Sequence, residues 1–343
     1  MKDHESVSVV VPVFNEADNL RPLHDALTRQ LVAVGLPYEI IFVNDGSSDG
    51  SMAVLRELGS RDPCVRVVSF SRNFGHQNSI TAGLEHAGGE AVIVMDADLQ
   101  HPPELIPQMV ARWREGYQVV FTVRDDGKNV GLFKRWTSAA FYRCINAVSE
   151  VPIVPGAADF RLMDRTVVDC LIAMPERSRF LRGMVSWVGF RQIGLPYVAA
   201  PRFAGKSKYS VRKMFSLAVQ GITSFSSLPL RFSAYLGFFA AVSVIPYGLW
   251  AIYAKLFTDQ AVPGWASLLI SVQFLGGAQL MSIGIIGEYV GRIYNEVKKR
   301  PLYVTAELLG FEAAEMYPLP VSQERPAAGS AVSRRVPLRK IAS

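Results

Sequence analysis

The sequence predicts an α/β domain followed by two transmembrane helices. Four apolar runs in the first hundred residues each end in polar residues, and helical patterns lie between them. Strands that alternate with helices form a parallel sheet covered by helices. Two long stretches with almost no charge follow near the C-terminus. We therefore divide the chain into an α/β domain over 1–228 that ends in interfacial helices, two membrane helices within 229–292 and a basic tail over 293–343.

The four predicted strands and their polar ends are "SVSVVVPVFNE", "YEIIFVNDGSS", "VRVVSFSRN" and "AVIVMDADLQ". The helical patterns between them include "ADNLRPLHDALTRQLVAVG" and "DGSMAVLRELGSRD". Ligands of open parallel sheets bind outside the carboxyl ends of the strands. The polar residues at the four strand ends therefore predict one binding site along that edge.

Asp96 and Asp98 follow the fourth apolar run directly. In an extended chain residues i and i+2 point to the same side, so these two carboxylates can meet at one point while Ala97 turns away. Carboxylate oxygens suit Mg²⁺ or Mn²⁺, whose shell is completed by water and substrate phosphate. The alternative is that Asp is simply a common turn residue at a strand end. The coincidence of four polar strand ends favours the metal site.

Other patterns limit the class of ligand. The first strand is not followed by G-x-G-x-x-G, Pro12 stands where a phosphate-cradling glycine is needed, and no G-x-x-x-x-G-K-[ST] occurs. The sequence thus predicts a nucleotide whose diphosphate is held by metal. Cys64, Cys144 and Cys170 are widely spaced, which indicates neither a disulfide framework nor a zinc site.

The net charge is +6, and it points to an anionic membrane or a phosphorylated substrate. Nucleic acid is not expected as a partner, because no helix-turn-helix, RNA-binding or zinc-finger pattern accompanies the charge.

Two apolar spans, about 232–257 and 265–290, are long enough to cross a bilayer. Arg231 precedes the first, Arg292 and further basic residues follow the second, and the connection carries no Lys or Arg. The positive-inside rule then places both outer ends in the cytosol. We expect a multi-pass protein of the inner (plasma) membrane, with its catalytic domain and both termini cytosolic. The tail over 293–343 reads as polar, basic and largely disordered.

Seven motifs occur in order: "VPVFNEADN", "VNDGSSDGS", "SFSRNFGHQ", "VMDADLQHPPE", "DFRLMDR", "RFLRGMVSWVGF" and "PRFAGKSKYS". With the two membrane helices they resemble the polyprenyl-phosphate glycosyltransferases, the family 2 relatives of dolichyl-phosphate mannose synthase and the bactoprenol glucosyltransferases. The resemblance covers about residues 6–300. It implies a Rossmann-like glycosyltransferase A fold, a nucleotide-sugar donor, a polyprenyl phosphate acceptor, and Mg²⁺ or Mn²⁺.

The resemblance implies that Pro12, Phe14, Glu16 and Asp45 surround the base and ribose of the donor. A carboxylate can accept a base N–H, and an aromatic ring can stack on the base. The alternatives are core packing for Pro12 and Phe14, and helix capping for Asp45. The predicted donor set also contains Asp96, Ala97, Asp98 and Arg124. As a lone arginine, Arg124 could equally be a surface residue. The predicted metal ligands are Asp96, Asp98 and Gln100.

The acceptor is a phosphate monoester, which is mostly dianionic at neutral pH and needs positioning cations more than a general base. The resemblance also implies a functional aspartate at Asp159, completing a catalytic set with Asp96 and Asp98. Asp159 could orient the acceptor or act as base, and orientation is the preferred interpretation.

No catalytic role is assigned to the histidines. The predicted acceptor-phosphate residues are Arg179, Arg182, Arg202, Lys206 and Lys208, which could also contact anionic lipid heads.

The expected reaction is metal-dependent, inverting transfer of a sugar from a nucleotide sugar to polyprenyl phosphate on the cytosolic membrane face. UDP-glucose is the donor that the family resemblance favours, followed by UDP-N-acetylhexosamine or GDP-mannose. A processive polysaccharide synthase is the nearest rival, but "RFLRGMVSW" lacks Q-x-x-R-W and only two spans are predicted. A non-catalytic nucleotide-sugar sensor would not need both metal carboxylates and a basic acceptor loop. A homo-oligomer is left open.

Overall fold

The computed structural model describes residues 5–124, 156–177, 179–197, 228–257 and 264–311. The chain divides into two compact units. Within the described ranges, the first unit holds an eight-stranded sheet with its covering helices, and the second holds two long helices.

The four predicted strands are confirmed, and they lie side by side in the order β4-β1-β2-β3. All three pairings between them are parallel. Helices cover both faces of this part of the sheet, which is why the strands are almost continuously apolar. Their bounds are β1 Val7–Val13, β2 Tyr38–Asn44, β3 Val65–Phe70 and β4 Ala91–Val94.

Helices cover this sheet on its two faces. On one face, α1 (Ala17–Val34) packs against α2 (Ser51–Arg61), and α4 (Ile106–Arg114) lies beside α1. The buried positions of α1 follow a three- and four-residue spacing that makes one apolar stripe. On the opposite face α3 (His76–His86) packs on β1 and β2. It approaches β1 so closely that a Cβ on Gly83 would lie 2.1 Å from Cγ1 of Val10.

The second half of the sheet mixes strand directions. β6 (Ala157–Asp164) runs antiparallel between β4 and β5 (Val119–Arg124), and β7 (Gln192–Tyr197) is parallel to β5 at the edge. The helices α5 (Arg165–Ala173) and α6 (Leu181–Trp187) connect β6 to β7. Because β6 is antiparallel to β4, the start of β6 lies at the carboxyl end of β4. Residues from late in the chain therefore reach the predicted binding edge.

Residues 293–310 differ from the prediction of a largely disordered tail over 293–343. The last long helix continues to Val297, and β8 (Thr305–Leu309) then pairs antiparallel with β3 as an edge strand. Its Glu307 binds Arg56 with an N–O distance of 2.6 Å. The strand is short and carries polar residues, as protected edge strands commonly do, so it resembled a tail in the sequence. The rest of the predicted tail, from residue 312, lies outside the described residues.

The second unit contains α7 (Leu228–Phe257) and α8 (Trp265–Val297), which coincide with the two predicted apolar spans. Large apolar side chains along both helices are exposed, among them Phe239 at 67% and Leu280 at 72%. Among the positions that the structure describes, no helix is both long enough and apolar enough to cross a membrane. The helices are confirmed, and the membrane spans stay a prediction.

Candidate active site

Asp96 and Asp159 come together where β4 and β6 meet at the binding edge. The antiparallel register sets Val94 opposite Arg161. Continuing that register by two residues leads to Asp96 on one side and Asp159 on the other. The sequence predicted both carboxylates as site residues, but it did not predict that they are neighbours.

Asp159 forms a two-point ion pair with Arg182. The Nε and Nη2 atoms of Arg182 donate to its two carboxylate oxygens over 2.7 and 2.9 Å, and Nη2 of Arg161 lies 3.4 Å from Oδ1. Burial of Asp159 alone would raise the pKa of its carboxyl, but Arg182, His76 and Arg161 together hold that pKa well below its usual value. A carboxylate stabilised in this way accepts protons poorly. The structure therefore favours an orienting role for Asp159 over a role as base.

His76, the first residue of α3, lies between these two carboxylates. Its Nε2 is 3.4 Å from Oδ1 of Asp96 and 3.8 Å from Oδ2 of Asp159. Partial loss of solvent around the ring lowers the pKa of His76, but the Asp159 and Asp96 carboxylates outweigh that effect and raise the pKa, while the side chain keeps 43% of its surface exposed. No role was assigned to His76 from sequence. The available signal was its place in "SRNFGHQ", just after the third strand end on the same edge.

The loop after β4 presents the predicted metal ligands. Ala97 is 3% exposed and belongs to the core, so it turns away from the edge as predicted, whereas the side chain of Asp96 is 35% exposed. The backbone N–H of Asp96 donates to Nδ1 of the buried His101 over 3.3 Å. Oδ1 of Asp98 accepts the backbone N–H of Gln100 over 3.1 Å. Both bonds lie within the loop and fold it back on itself.

The donor set fits a hard divalent cation. Asp96 and Asp98 are both partly exposed at the edge, and the amide oxygen of Gln100 lies two residues further along the loop. Mg²⁺ and Mn²⁺ are commonly held by one or two carboxylates and complete their shell with water and substrate phosphate. Within the described part of the chain, no group of three or more His, Cys, Asp or Glu residues is placed to hold a metal ion.

Asp45 anchors the turn that leads into α3. The side chain is buried, and its carboxylate accepts the backbone N–H of Phe74 over 2.6 Å and that of Gly75 over 3.0 Å. Burial raises the pKa of the Asp45 carboxyl, and the two N–H bonds oppose that shift. The capping alternative for Asp45 concerned the helix after "NDGSSDG", but α2 begins after the N-cap Gly50 without a side-chain cap, and Asp45 instead binds the turn before α3. A carboxylate has further acceptor sites, so Asp45 can still contact a nucleotide.

The other predicted base-site residues lie in and after β1. Pro12 is a buried position within the strand, which supports the packing alternative. Phe14 is 37% exposed at the edge, and Glu16 is partly buried beside it. Asn15 joins this loop to the loop after β2, because its side-chain oxygen accepts the N–H of Ser48 over 2.8 Å.

The loops after β2 and β3 touch at Gly46. Gly46 has a φ of +63°, and a Cβ there would lie 2.4 Å from the carbonyl carbon of Arg72. The guanidinium of Arg72 in turn covers the ring of Phe74 at 4.0 Å from its centroid. Three loops of the binding edge therefore support one another.

The predicted acceptor cations fall into three groups. Arg182 is at the cluster and binds Asp159. Arg179 instead donates to the backbone carbonyls of Leu171 and Met174 at the end of α5, and burial lowers its pKa. Arg124, which was predicted on the donor side and not among these cations, is the last residue of β5. The remaining three, Arg202, Lys206 and Lys208, lie outside the described residues.

Comparison with known proteins identifies the family. Residues 8–172 match the family described as Glycosyl transferase family 2. An uncharacterized glycosyltransferase of Bacillus subtilis, YkcC, is 44% identical over 92% of this chain and 98% of its own. The SfII prophage-derived bactoprenol glucosyl transferase of Shigella flexneri is 45% identical over 87% of this chain and 96% of its own.

Solved structures match at lower identity. Glucosyl-3-phosphoglycerate synthase from Mycobacterium tuberculosis, in complex with Mn²⁺ and UDP-glucose, is 20% identical with a TM-score of 0.41, covering 64% of this chain and 77% of that chain. The mannosyltransferase PcManGT from Pyrobaculum calidifontis is 18% identical with a TM-score of 0.43, covering 84% and 76%. The sequence relatives decide the matter because they extend over most of both chains: the protein belongs to glycosyl transferase family 2, and it is a glycosyltransferase.

Proposed function

We propose that the protein transfers glucose from UDP-glucose to polyprenyl phosphate on the cytosolic face of a membrane, with a divalent metal and with inversion at the anomeric carbon. The observation that carries the proposal is the cluster at the carboxyl end of β4, where Asp96 of the metal loop lies beside the Asp159–Arg182 pair. Relatives at about 45% identity that are named bactoprenol glucosyl transferases support this acceptor and this sugar.

On the donor side, Asp96 and Asp98 would hold Mg²⁺ or Mn²⁺, with Gln100 beside them. The metal, when bound, neutralises the charge that builds on the leaving diphosphate. Phe14 presents an exposed ring at the same edge for stacking on the base. Asp45 sets the course of the neighbouring loop, so it shapes the base site even where it does not touch the nucleotide.

On the acceptor side, Asp159 holds the guanidinium of Arg182 in a fixed plane. The side chain of Arg182 remains 39% exposed, so it can meet a phosphate that approaches from solvent or from a membrane surface. The acceptor phosphate is already anionic, so it needs orientation rather than deprotonation. A single displacement by this oxygen, with no enzyme nucleophile, inverts the sugar configuration.

The membrane part of the proposal rests on α7 and α8. Their sequences contain the long apolar spans over 232–257 and 265–290, and large apolar side chains on both helices are exposed. Basic residues stand at the two outer ends of the pair. We propose that both helices cross the inner (plasma) membrane with the catalytic unit and both termini in the cytosol.

The test is to give the purified full-length protein a panel of nucleotide sugars with polyprenyl phosphate and Mg²⁺ or Mn²⁺. The expected product is a polyprenyl phosphate that carries one hexose in the configuration opposite to that of the donor, identified by mass and by NMR. A product with the donor's own configuration would contradict the single displacement.

The same experiment separates the two rival functions. A processive synthase would build a polymer rather than stop after one sugar. A nucleotide-sugar sensor would bind the donor but release no nucleotide when the lipid phosphate is added. Either result would replace the proposed function.

A further inference from the structure

Asp96 and Asp159 present an electrostatic problem that the fold must solve. The register of β4 and β6, continued two residues past the end of β4, leads to Asp96 on one side and Asp159 on the other. Like charges placed directly opposite each other in a sheet repel. Arg182 and Arg161 form ion pairs with Asp159. A group that contacts both carboxylates can set their distance.

His76 contacts both carboxylates, and the stability of α3 does not explain why a histidine stands at this position. The N-terminus of a helix carries a partial positive charge, which disfavours a cation and favours an acid. α3 nevertheless begins with a histidine and has no side-chain cap. The imidazole contacts carboxylates on two different elements, since Asp96 follows β4 and Asp159 belongs to β6.

The backbone around His76 is held from both sides. On one side, the N–H of the preceding Gly75 donates to the Asp45 carboxylate. On the other, the side-chain oxygen of Gln77 accepts the backbone N–H of Leu181 over 3.0 Å. Leu181 immediately precedes Arg182 at the start of α6. The turn that carries His76 is thus anchored to the donor edge and to the helix that carries Arg182.

We propose that His76 is a positioning residue that sets the Asp96 and Asp159 carboxylates at a fixed separation and so aligns the donor half of the site with the acceptor half. This inference deepens the proposed function and rests on it for the identity of the two halves. Removing the bridge leaves each substrate a binding site but misaligns the reacting groups, and a misplacement of about 1 Å can cost about a hundredfold in rate.

The first experiment compares His76→Ala and His76→Gln in the full-length protein. We expect kcat to fall by about tenfold to a hundredfold in the alanine variant, while the dissociation constant for UDP in the presence of Mn²⁺ changes by less than about threefold. Glutamine keeps an N–H donor, so His76→Gln should recover part of the lost kcat. The matched control is His86→Ala at the other end of α3, where the imidazole bonds only to the backbone oxygen of Ala82 among its described hydrogen bonds.

The second experiment is a double-mutant cycle of His76→Ala and Asp159→Asn, read both as kcat and as the melting temperature in detergent. If the bridge exists, the combined loss is smaller than the two single losses together, because either change removes the same interaction. The melting temperature needs no substrate. Coupling seen there in a protein that makes no glycolipid would support the bridge and refute the proposed function.

Three results would overturn the inference. The first is an unchanged kcat in His76→Ala. The second is independent action of the two substitutions in both readouts. The third is a loss of UDP affinity as large as the loss of kcat, which would make His76 a donor ligand instead of a positioning residue.

Discussion

Asp98 carries a charge that the proposed chemistry needs. Its side chain is only partly buried in the loop after β4. We expect Asp98→Asn to reduce transfer by more than about a hundredfold, since even groups that only support a metal ligand contribute about 10- to 100-fold. The melting temperature should stay within a degree or two of wild type. The control is Asp169→Asn, which changes an exposed aspartate of α5. Retained transfer in Asp98→Asn, or full activity of the wild type in excess chelator, would contradict the metal assignment.

Asp159 makes the free energy of unfolding depend on pH in the acidic range. Its pKa is held well below the usual carboxyl value, so the stability it contributes is fully present above that usual value and is lost as the pH falls through the folded-state pKa. Because Arg182 is 39% exposed, this ion pair contributes less than the about 3 kcal/mol that breaking a fully buried pair costs.

The test compares the unfolding of wild type with that of Asp159→Asn in detergent, from about pH 5.5 down to about pH 3. The gap between the two proteins should stay constant at first and close only below about pH 4, near the ordinary carboxyl pKa. The neighbouring groups, Arg182, Arg161 and His76, are cationic throughout this range. A gap that closes already near pH 5 would contradict the lowered pKa.

Single residues also show what the sequence could and could not predict. Asp96 and Asp98 were recognisable because strand periodicity puts both on one side of one segment. His76 was not, because its role depends on Asp159, which arrives through an antiparallel strand far along the chain. Local patterns carry no information on that pairing.

At the level of elements, the contact of the β2–α2 and β3–α3 loops at Gly46 can be tested with a matched pair of glycines. Gly35 and Gly46 both have positive φ, but a Cβ on Gly35 meets nothing within 4 Å, whereas one on Gly46 would collide with the backbone of Arg72. Alanine at either position carries a conformational cost of about 1 kcal/mol.

We expect Gly46→Ala to lower the melting temperature clearly more than Gly35→Ala, and to weaken UDP binding by about tenfold or more, because the loop bound by Asp45 must shift. Gly35→Ala, at the distant end of α1, should leave UDP binding unchanged. Equal effects of the two substitutions on UDP affinity would show that the loop contact does not shape the nucleotide site.

The elements predicted correctly are those with strong local periodicity: β1 to β4 and the helices α1 and α2. β8 was missed because five residues at a sheet edge, partly exposed, carry too weak a pattern. The antiparallel insertion of β6 was missed for another reason. Strand direction is set by pairing partners rather than by sequence within the strand.

At the scale of the whole molecule, the net charge is +6 and the mean hydropathy is +0.19. The positive charge comes largely from basic segments, and the high hydropathy comes largely from the two apolar helices. A polyprenyl chain resists leaving the bilayer, at about 0.8 kcal/mol for each exposed CH₂. An enzyme that uses this lipid must therefore meet the phosphate at the membrane surface with cations near its membrane helices. "PRFAGKSKYS", which precedes α7 in sequence, supplies three.

Lys208 in that segment gives the last prediction. A charge-assisted hydrogen bond to phosphate contributes about 1.5 to 3 kcal/mol, which corresponds to about 10- to 100-fold in affinity. We expect Lys208→Ala to raise the apparent constant for the lipid phosphate by about that factor and to leave the constant for the nucleotide sugar within about twofold. Lys298→Ala is the matched control. This lysine lies just past the end of α8, with its Nζ 3.9 Å from the centre of the Tyr294 ring. It can meet lipid heads there, but it belongs to no predicted acceptor motif. If both lysines weaken use of the lipid equally, the effect is general attraction to an anionic surface; if Lys208→Ala acts on the nucleotide sugar alone, the segment belongs to the donor site.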